Sequence, residues 1–210
     1  MKNIKNIIFD YGNVIFNIDF RKAQQGFGEL GIKSPGQFFG HLQQDPVFDE
    51  LDRGDVSAEG FRAVVRHQAG NPNLTDAQID EAWNSLLLGV APGTHELLLK
   101  LKEKYRTFLL SNNNEIHYRY ILNYLKKYFG LEDNEHLFEK TYYSHLERKR
   151  KPDPIFFEQV LKENNLTPEE TLFIDDSPQH LAAAETLGLK TFLMTAPDTL
   201  ADFVAREQLL

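Results

Sequence analysis

The hydrophobic and polar positions of this chain change period twice. Residues 6–9 (NIIF) form an unbroken apolar run too short for a helix, and it ends in Asp10, Gly12 and Asn13, which favour turns. This pattern predicts a short buried strand with a carboxylate at its C-terminal end. Over residues 19–88 the apolar spacing becomes helical. Helices are predicted over 20–30, 35–42 and 57–68, the third with Ser57 at its N-cap. A fourth opens at Thr75, where Gln78 completes a capping box and Ile79, Trp83 and Leu86 share one face. The segment reads as an all-helical insert.

Beyond Pro92 helices and strands alternate. Helices are predicted over 93–105, 115–128, 153–164, 178–187 and 197–206, and strands over 107–110, 141–143, 172–174 and 190–194. Thr167, Pro168 and Glu170 supply a cap, a first-turn proline and a box partner for one further turn. Strands separated by helices imply an α/β fold, a doubly wound parallel sheet with helices on both faces. The core is expected to comprise residues 1–18 and 89–210, with residues 19–88 inserted. Ligands of such sheets sit beyond the carboxyl ends of the strands. There the sequence has Asp10, Ser111 with Asn112, and Asp175 with Asp176.

Composition narrows the function. The 210 residues have room for one large domain, or one ordinary domain with an insert. A hydrophobic share of 41% with 26% charged residues is that of a soluble globular protein, and no apolar run approaches the ~20 residues that span a bilayer. The N-terminal apolar stretch is broken at once by Asp10 and reads as a first strand rather than a signal. A net charge of -8 opposes binding to nucleic acid or an acidic membrane surface. There is no cysteine, which removes disulfides, thiolate metal sites and thiol nucleophiles and fits a cytoplasmic location. Nothing in the pattern specifies an oligomeric state. The histidines lack zinc-site spacing, and the nucleotide-binding and serine-hydrolase signatures are absent. GFGELG at 26–31 matches a dinucleotide fingerprint but lies within a helical pattern, so its glycines are read as serving close packing or a hinge. Two sequons at Asn73 and Asn165 are better explained as helix caps at Thr75 and Thr167. Phe38, Phe39, Phe48 and Trp83 are read as helix core before pocket lining.

Each chemical candidate has a bland reading when taken singly. Asp10 suits a turn, Ser111 and residues 112–114 suit an N-cap cluster, and the basic run 148–151 suits a solvated face. The Asp175-Asp176 pair is harder to dismiss, because adjacent carboxylates repel unless a hard cation stabilises both. Together these residues make an anion site. Asp10 can act as a nucleophile without a separate base, forming an acyl phosphate that water hydrolyses. Its approach to a phosphate at ~4 Å meets roughly 4 kcal/mol of repulsion per charge pair at an effective dielectric of about 20. Mg²⁺ held by Asp10, Asp175 and Asp176, with a lysine ammonium beside it, would offset that repulsion. The Ser111 hydroxyl and the backbone N–H groups after it would hold the remaining oxygens.

At these residues the sequence resembles the haloacid dehalogenase-like hydrolase superfamily. IIFDYGNV at 7–14, FLLSNN at 108–113, KPDPIFF at 151–157 and LFIDDSPQH at 172–180 match its four motifs in order. The resemblance implies a three-layer Rossmann-like core carrying a helical cap over 19–88. It implies Asp10 as nucleophile, Ser111 and Asn112 as phosphate-binding residues, and Lys151 as the cation beside nucleophile and phosphate. Asp176 and the Gly12 carbonyl would ligate Mg²⁺, and Asp175 would ligate or support it. The activity implied is hydrolysis of a small phosphorylated metabolite, a sugar phosphate first among them, through a phospho-Asp10 intermediate.

One departure matters. Most phosphatases of the superfamily have a second Asp where this chain has Gly12, and that general acid is worth ~10² to 10⁴ in rate. The D-x-G-N-V form followed by N-I-D-F most resembles the branch that includes bacterial glucose-1-phosphate phosphatase. Water, Asp19 or His117 is expected in the acid's place. Two other readings stand beside the phosphatase. One is a metal-independent 2-haloacid dehalogenase using Asp10, and the other is a regulatory protein that binds phospho-ligands without turnover.

Overall fold

The structure is a computed structural model that describes residues 3–40 and 44–210. Its centre is a five-stranded sheet in the order β5-β4-β1-β6-β7, made of β1 (Asn6–Phe9), β4 (Arg106–Ser111), β5 (Lys140–Tyr143), β6 (Thr171–Asp175) and β7 (Lys190–Leu193). Every pairing is parallel, so the sheet is the one expected from the alternation of elements. β1 lies between β4 and β6, and all four of its residues are buried, which is why it reads as a continuous apolar run. The register pairs Phe9 with Leu109 and with Ile174, so β1, β4 and β6 end at one level. That register gathers Asp10, Ser111 and Asp175.

Helices flank this sheet: α6 (Thr94–Lys104), α7 (Glu115–Phe129), α9 (Pro154–Glu163), α10 (Pro178–Thr186) and α11 (Leu200–Arg206), with a short α8 (Ser144–Glu147) after β5. Apolar residues of β1 and its neighbours divide between two buried clusters. Ile7 and Phe9 belong to one, packed with Leu98, Leu125 and Phe203, while Ile8 packs with Phe156, Phe157 and Ala184. Alternate β1 side chains thus enter opposite layers. Among the described residues no helix is long and apolar enough to cross a membrane.

The inserted segment contains α1 (Phe20–Glu29), α2 (Pro35–Phe38), α3 (Pro46–Arg53), α4 (Ala58–Ala69) and α5 (Asp76–Asn84). Ser57 caps α4, and Thr75 with Gln78 makes the capping box of α5. The helices share a separate core in which Phe27, Phe48, Phe61 and Trp83 make mutual ring contacts, with Phe38 and Phe39 buried beside them. Gly26 of α1 lies against α5. A Cβ there would stand 2.9 Å from Ala82 Cα, so Gly26, the first glycine of the fingerprint-like run, serves helix packing.

Several elements depart from the sequence reading. α2 ends at Phe38, and residues 41 and 42 of the expected helix lie outside the described residues. α3 is an additional helix. Asp45 caps it, Pro46 opens it and Gly54 closes it in the left-handed region, but at eight residues it is too short for its period to stand out. A two-stranded antiparallel ribbon, β2 (Phe16–Ile18) with β3 (Leu87–Val90), ties the ends of the insert together, and Asp19 N–H donates to Leu86 O at 2.9 Å. Thr167 gives no side-chain cap to the 3₁₀ turn Pro168–Glu170, because its carbonyl accepts the Thr171 hydroxyl while its own side chain stays uninvolved in the cap. The last helix starts at Leu200, where Thr199 and Asp202 form a capping box that outcompetes the proline signal at 197.

Candidate active site

Asp10 is the first residue beyond β1, fixed by its N–H donating to Ile174 O at 2.8 Å. Lys151, fully buried, points between the two central strand ends: its Nζ stands 2.6 Å from Asp10 Oδ1 and 2.6 Å from Asp175 Oδ2. Burying an ammonium is tolerable only with such partners. The Lys151 backbone is held by Asn112, whose Nδ2 donates to Lys151 O at 2.9 Å and whose Oδ1 accepts Lys151 N–H at 2.8 Å. The Asn112 side chain therefore sets the lysine's position. Ser111, the last residue of β4, is buried with its Oγ 3.4 Å from Asn112 O. The helix cap sits further on, at Asn114, whose Oδ1 accepts His117 N–H.

Asp175 ends β6 and is engaged on both oxygens. Oδ1 accepts Ser177 N–H at 2.7 Å and the His180 ring at 3.0 Å, while Oδ2 accepts Lys151. Asp176, partly exposed, accepts Asn13 Nδ2 at 2.8 Å. Asn13 adopts the left-handed region, and its Oδ1 takes Ile18 N–H at 3.1 Å, so the turn after β1 braces Asp176. Asp10, Asp175 and Asp176 each offer a carboxylate oxygen within a cluster of 4.8 Å.

The electrostatics of this cluster are lopsided. Burial pushes Asp10 up to about 8 against the pull of Lys151, and the neighbouring Asp175 and Asp176 push the same way. Burial also raises Asp176. Burial acts on Asp175 too, but Lys151 and His180 outweigh it and hold that carboxyl below its usual range. One ammonium faces three carboxylates, and oxygen donors in this number and spacing suit a hard divalent cation. The residues fit Mg²⁺ by donor chemistry, with Asp10 and Asp176 having oxygens to offer and Asp175 already taken up by its neighbours.

Above the cluster lies a cavity of about 480 Å³ with Asp10, Gly12 and Asp176 at its base and Phe39, Phe48 and Trp83 of the inserted helices in its wall. These aromatics belong to the insert's core and face the cavity as well. Neither side chain expected to replace the missing acid is suited to it. Asp19 caps α1, is held below the usual carboxylate range by its bonds to Arg21, and lies outside the cavity lining. His117 lines the cavity but is pushed down to about 3 by burial. Its Nε2 lies 3.2 Å from Trp83 O, which can only accept, so Nε2 carries the proton and Nδ1 accepts from Asn114 Nδ2 at 3.3 Å.

Four residues near this site carry no sequence-level role: Asn13, His180, Asp52 and Arg150. Asn13 and His180 lie inside the first and last motifs, where a turn former and a helix residue attract no notice. Asp52 and Arg150 are 98 positions apart and meet only through the packing of α3 on the core.

The family model for haloacid dehalogenase-like hydrolases matches residues 4–188. The chain is 32% identical over 189 residues to a D-ribitol-5-phosphate phosphatase of Bacteroides thetaiotaomicron, covering 90% of this chain and 91% of that one. It is 38% identical over 216 residues to a sesquiterpene phosphatase of Aspergillus oryzae, covering 98% and 96%. Among solved structures, a HAD family enzyme of Bacteroides thetaiotaomicron in complex with magnesium and inorganic phosphate superposes with a TM-score of 0.83 at 35% identity, over 93% of this chain and 96% of that one. The matched span runs through all four motifs, the strand ends that carry Asp10, Ser111 and the Asp175-Asp176 pair, and the segment before α9 that carries Lys151: the chain belongs to the haloacid dehalogenase-like hydrolases.

Proposed function

We propose that this hydrolase is a Mg²⁺-dependent phosphatase acting on a small phosphorylated sugar or polyol through a covalent phosphate on Asp10, with residues 19–88 as its cap. The observation that carries the reading is the buried bridge of Lys151 between Asp10 and Asp175, beside Asp176 and below a cavity of about 480 Å³. Relatives named as phosphatases, and a similar enzyme crystallised with magnesium and phosphate, support it. A dehalogenase needs no cation and would gain nothing from three carboxylates crowded within 4.8 Å.

Lys151 occupies Asp10 Oδ1, which leaves Oδ2 to attack phosphorus. The Oδ2–P bond forms as the ester oxygen–phosphorus bond breaks, and the leaving alkoxide takes a proton from water. Water then attacks phosphorus, inorganic phosphate departs and the Asp10 carboxylate returns. Lys151 holds its charge beside the phosphoryl oxygens through both steps, and the Ser111 hydroxyl with the Asn112 N–H holds the oxygens in place, since the N–H groups of Asn113 and Asn114 already donate to Ser144 Oγ and Asn113 Oδ1. Mg²⁺, bound by Asp10, Asp176 and the Gly12 carbonyl, would supply charge neutralisation for the dianion. Asp175 keeps Lys151 and His180 in position.

The test is release of phosphate from p-nitrophenyl phosphate with Mg²⁺ or EDTA, by the wild type and by Asp10→Asn and Asp176→Ala. Turnover is expected only with Mg²⁺ and to fall at least ~10³-fold in Asp10→Asn. Equal release by all three proteins removes the site from the chemistry. Halide release from a 2-haloacid in EDTA selects the dehalogenase instead.

A further inference from the structure

The cavity has a second polar end. Besides the carboxylates at its base, Asp49 and Asp52 of α3 line it, together with Arg150 and Asn114 of the core. Arg150 reaches across from the segment before Lys151, with NH1 2.9 Å from Asp49 Oδ1 and NH2 3.4 Å from Asp52 Oδ2. Asn114 Nδ2 stands 3.3 Å from Asp52 Oδ1. The basic run at 148–151 is thus divided by alternation: Lys151 enters the reaction site, and Arg150 turns to the cap.

Asp52 is the unusual member. Its side chain is only 17% exposed, yet the two polar contacts it makes among the described residues are long. A carboxylate has about four lone-pair sites, and two weak bonds leave it short of donors in a place where little water reaches it. Burial accordingly raises its pKa despite Arg150. Asp49 differs, since it is 47% exposed and takes short bonds from Arg150 and from Gln44 Nε2 at 2.7 Å. Among the described residues the cavity therefore offers an under-satisfied acceptor, with the apolar side chains of Phe39, Phe48 and Trp83 also in its lining.

We propose that Asp52, held by Arg150 and Asn114, is the residue that discriminates substrates. It accepts hydroxyl hydrogens of a polyhydroxylated phosphate monoester and so rejects alkyl and prenyl phosphates of similar length. An alkyl chain in the cavity would strip the remaining water from Asp52 and return no hydrogen bond, and sites built around a substrate hydroxyl reject analogues lacking it strongly. This inference rests on the phosphatase reading. It assigns this chain a polar preference despite its similarity to a sesquiterpene phosphatase.

The experiment compares kcat/KM for a pentitol phosphate, n-pentyl phosphate, farnesyl phosphate and p-nitrophenyl phosphate in Mg²⁺. The wild type is expected to prefer the pentitol phosphate over pentyl phosphate by at least ~10²-fold. Asp52→Asn is expected to cut that ratio by about tenfold or more, chiefly through KM, and Asp52→Ala to cut it further. Asp55→Asn serves as the control. It breaks the neighbouring cap–core pair with Arg148, 3.6 Å apart and outside the cavity lining, and should leave the ratio unchanged. Thermal unfolding confirms that each variant is folded. A wild type that favours pentyl or farnesyl phosphate overturns the inference, as does an equal fall of the ratio in Asp55→Asn, which would assign the effect to cap seating. A wild type that turns over p-nitrophenyl phosphate but does not distinguish pentitol from pentyl phosphate overturns this inference alone. Failure on p-nitrophenyl phosphate as well removes the phosphatase reading, and this one with it.

Discussion

His117 gives a prediction whose sign and size follow from its surroundings. The ring is buried, stacked on Trp83 with centroids 4.2 Å apart, and its Nε2–H is committed to Trp83 O. Protonating Nδ1 would set an N–H against the Asn114 amide that now donates to it, and would bury a charge with no carboxylate in contact. Burial therefore lowers its pKa from 6.5 to about 3. Below the unfolded value the unfolded chain binds a proton that the folded chain refuses, so stability falls as pH falls from 6.5 towards 3. At about pH 5 the loss from this one residue is RT ln(1 + 10^1.5), roughly 2 kcal/mol. His117→Phe keeps the stacking surface and abolishes the titration. It removes one hydrogen bond each from Trp83 O, which keeps Leu86 N–H, and from the Asn114 amide, which keeps Asp52, at about 0.5–1.5 kcal/mol each, so the variant is less stable near neutrality. That deficit should shrink by roughly 2 kcal/mol between about pH 7.5 and pH 5, measured by urea unfolding of both proteins. Parallel acid losses in wild type and variant would refute the burial argument, because His117 would then titrate alike in both states.

Other consequences concern the ion pairs, the glycines and the leaving group. Lys151→Met leaves Asp10 and Asp175 buried without their cation, and should lower unfolding free energy by about 3–5 kcal/mol in EDTA as well as abolishing turnover, as read by denaturant titration and phosphate release. Gly54→Ala places a Cβ 2.6 Å from His145 O at a φ of +73°, so destabilisation of about 2–4 kcal/mol is expected from the thermal midpoint, where an unchanged midpoint would contradict the close seating of α3 on α8. Gly12→Asp alone would crowd Ile18 Cδ1, 3.1 Å from the new Cβ, whereas Gly12→Asp with Ile18→Val removes that methyl. The double variant should raise turnover of an alkyl phosphate by about tenfold or more and that of p-nitrophenyl phosphate far less, since only the poor leaving group needs a proton.

What was legible in the sequence follows physical range. The three central strands β1, β4 and β6 announce themselves because each is a short buried run between turn or cap residues, and Asp10 and Asp175 stand out as charges ending such runs. The Ser57 and Thr75 caps are readable because a cap and its helix are neighbours in sequence. The β2–β3 ribbon is not, since its three- and four-residue strands pair across some 70 residues, and neither is long enough to show a period of two. Asn112 is readable as a polar residue at a strand end. That its carboxamide clamps the Lys151 backbone depends on α7 and the 148–153 segment meeting in space. The basic run at 148–151 looks like one solvated face. It resolves into Arg148 and Arg150 pairing with the inserted segment, Lys149 with Gln159, and Lys151 within the carboxylate cluster.

Gly12 and the two rejected donors together constrain the reaction. With Asp19 committed to the α1 cap and His117 neutral and hydrogen-bonded on both nitrogens, the described residues that were candidates for protonating the leaving oxygen are spoken for. On the proposed reading water is the donor. A phosphoryl transfer to Asp10 without a positioned acid carries more negative charge on the departing oxygen, so its rate depends more steeply on leaving-group acidity. On the proposed reading the site answers with charge rather than with a proton: Lys151 sits 2.6 Å from Asp10, buried from water and from the screening of salt. Such a site favours substrates whose leaving oxygen is already stabilised by neighbouring hydroxyls, which withdraw electrons and hydrogen-bond the developing alkoxide. On the proposed reading, the lack of an acid at position 12 and the polar end of the cavity at Asp52 would select for the same property, a hydroxyl-rich chain next to the ester oxygen.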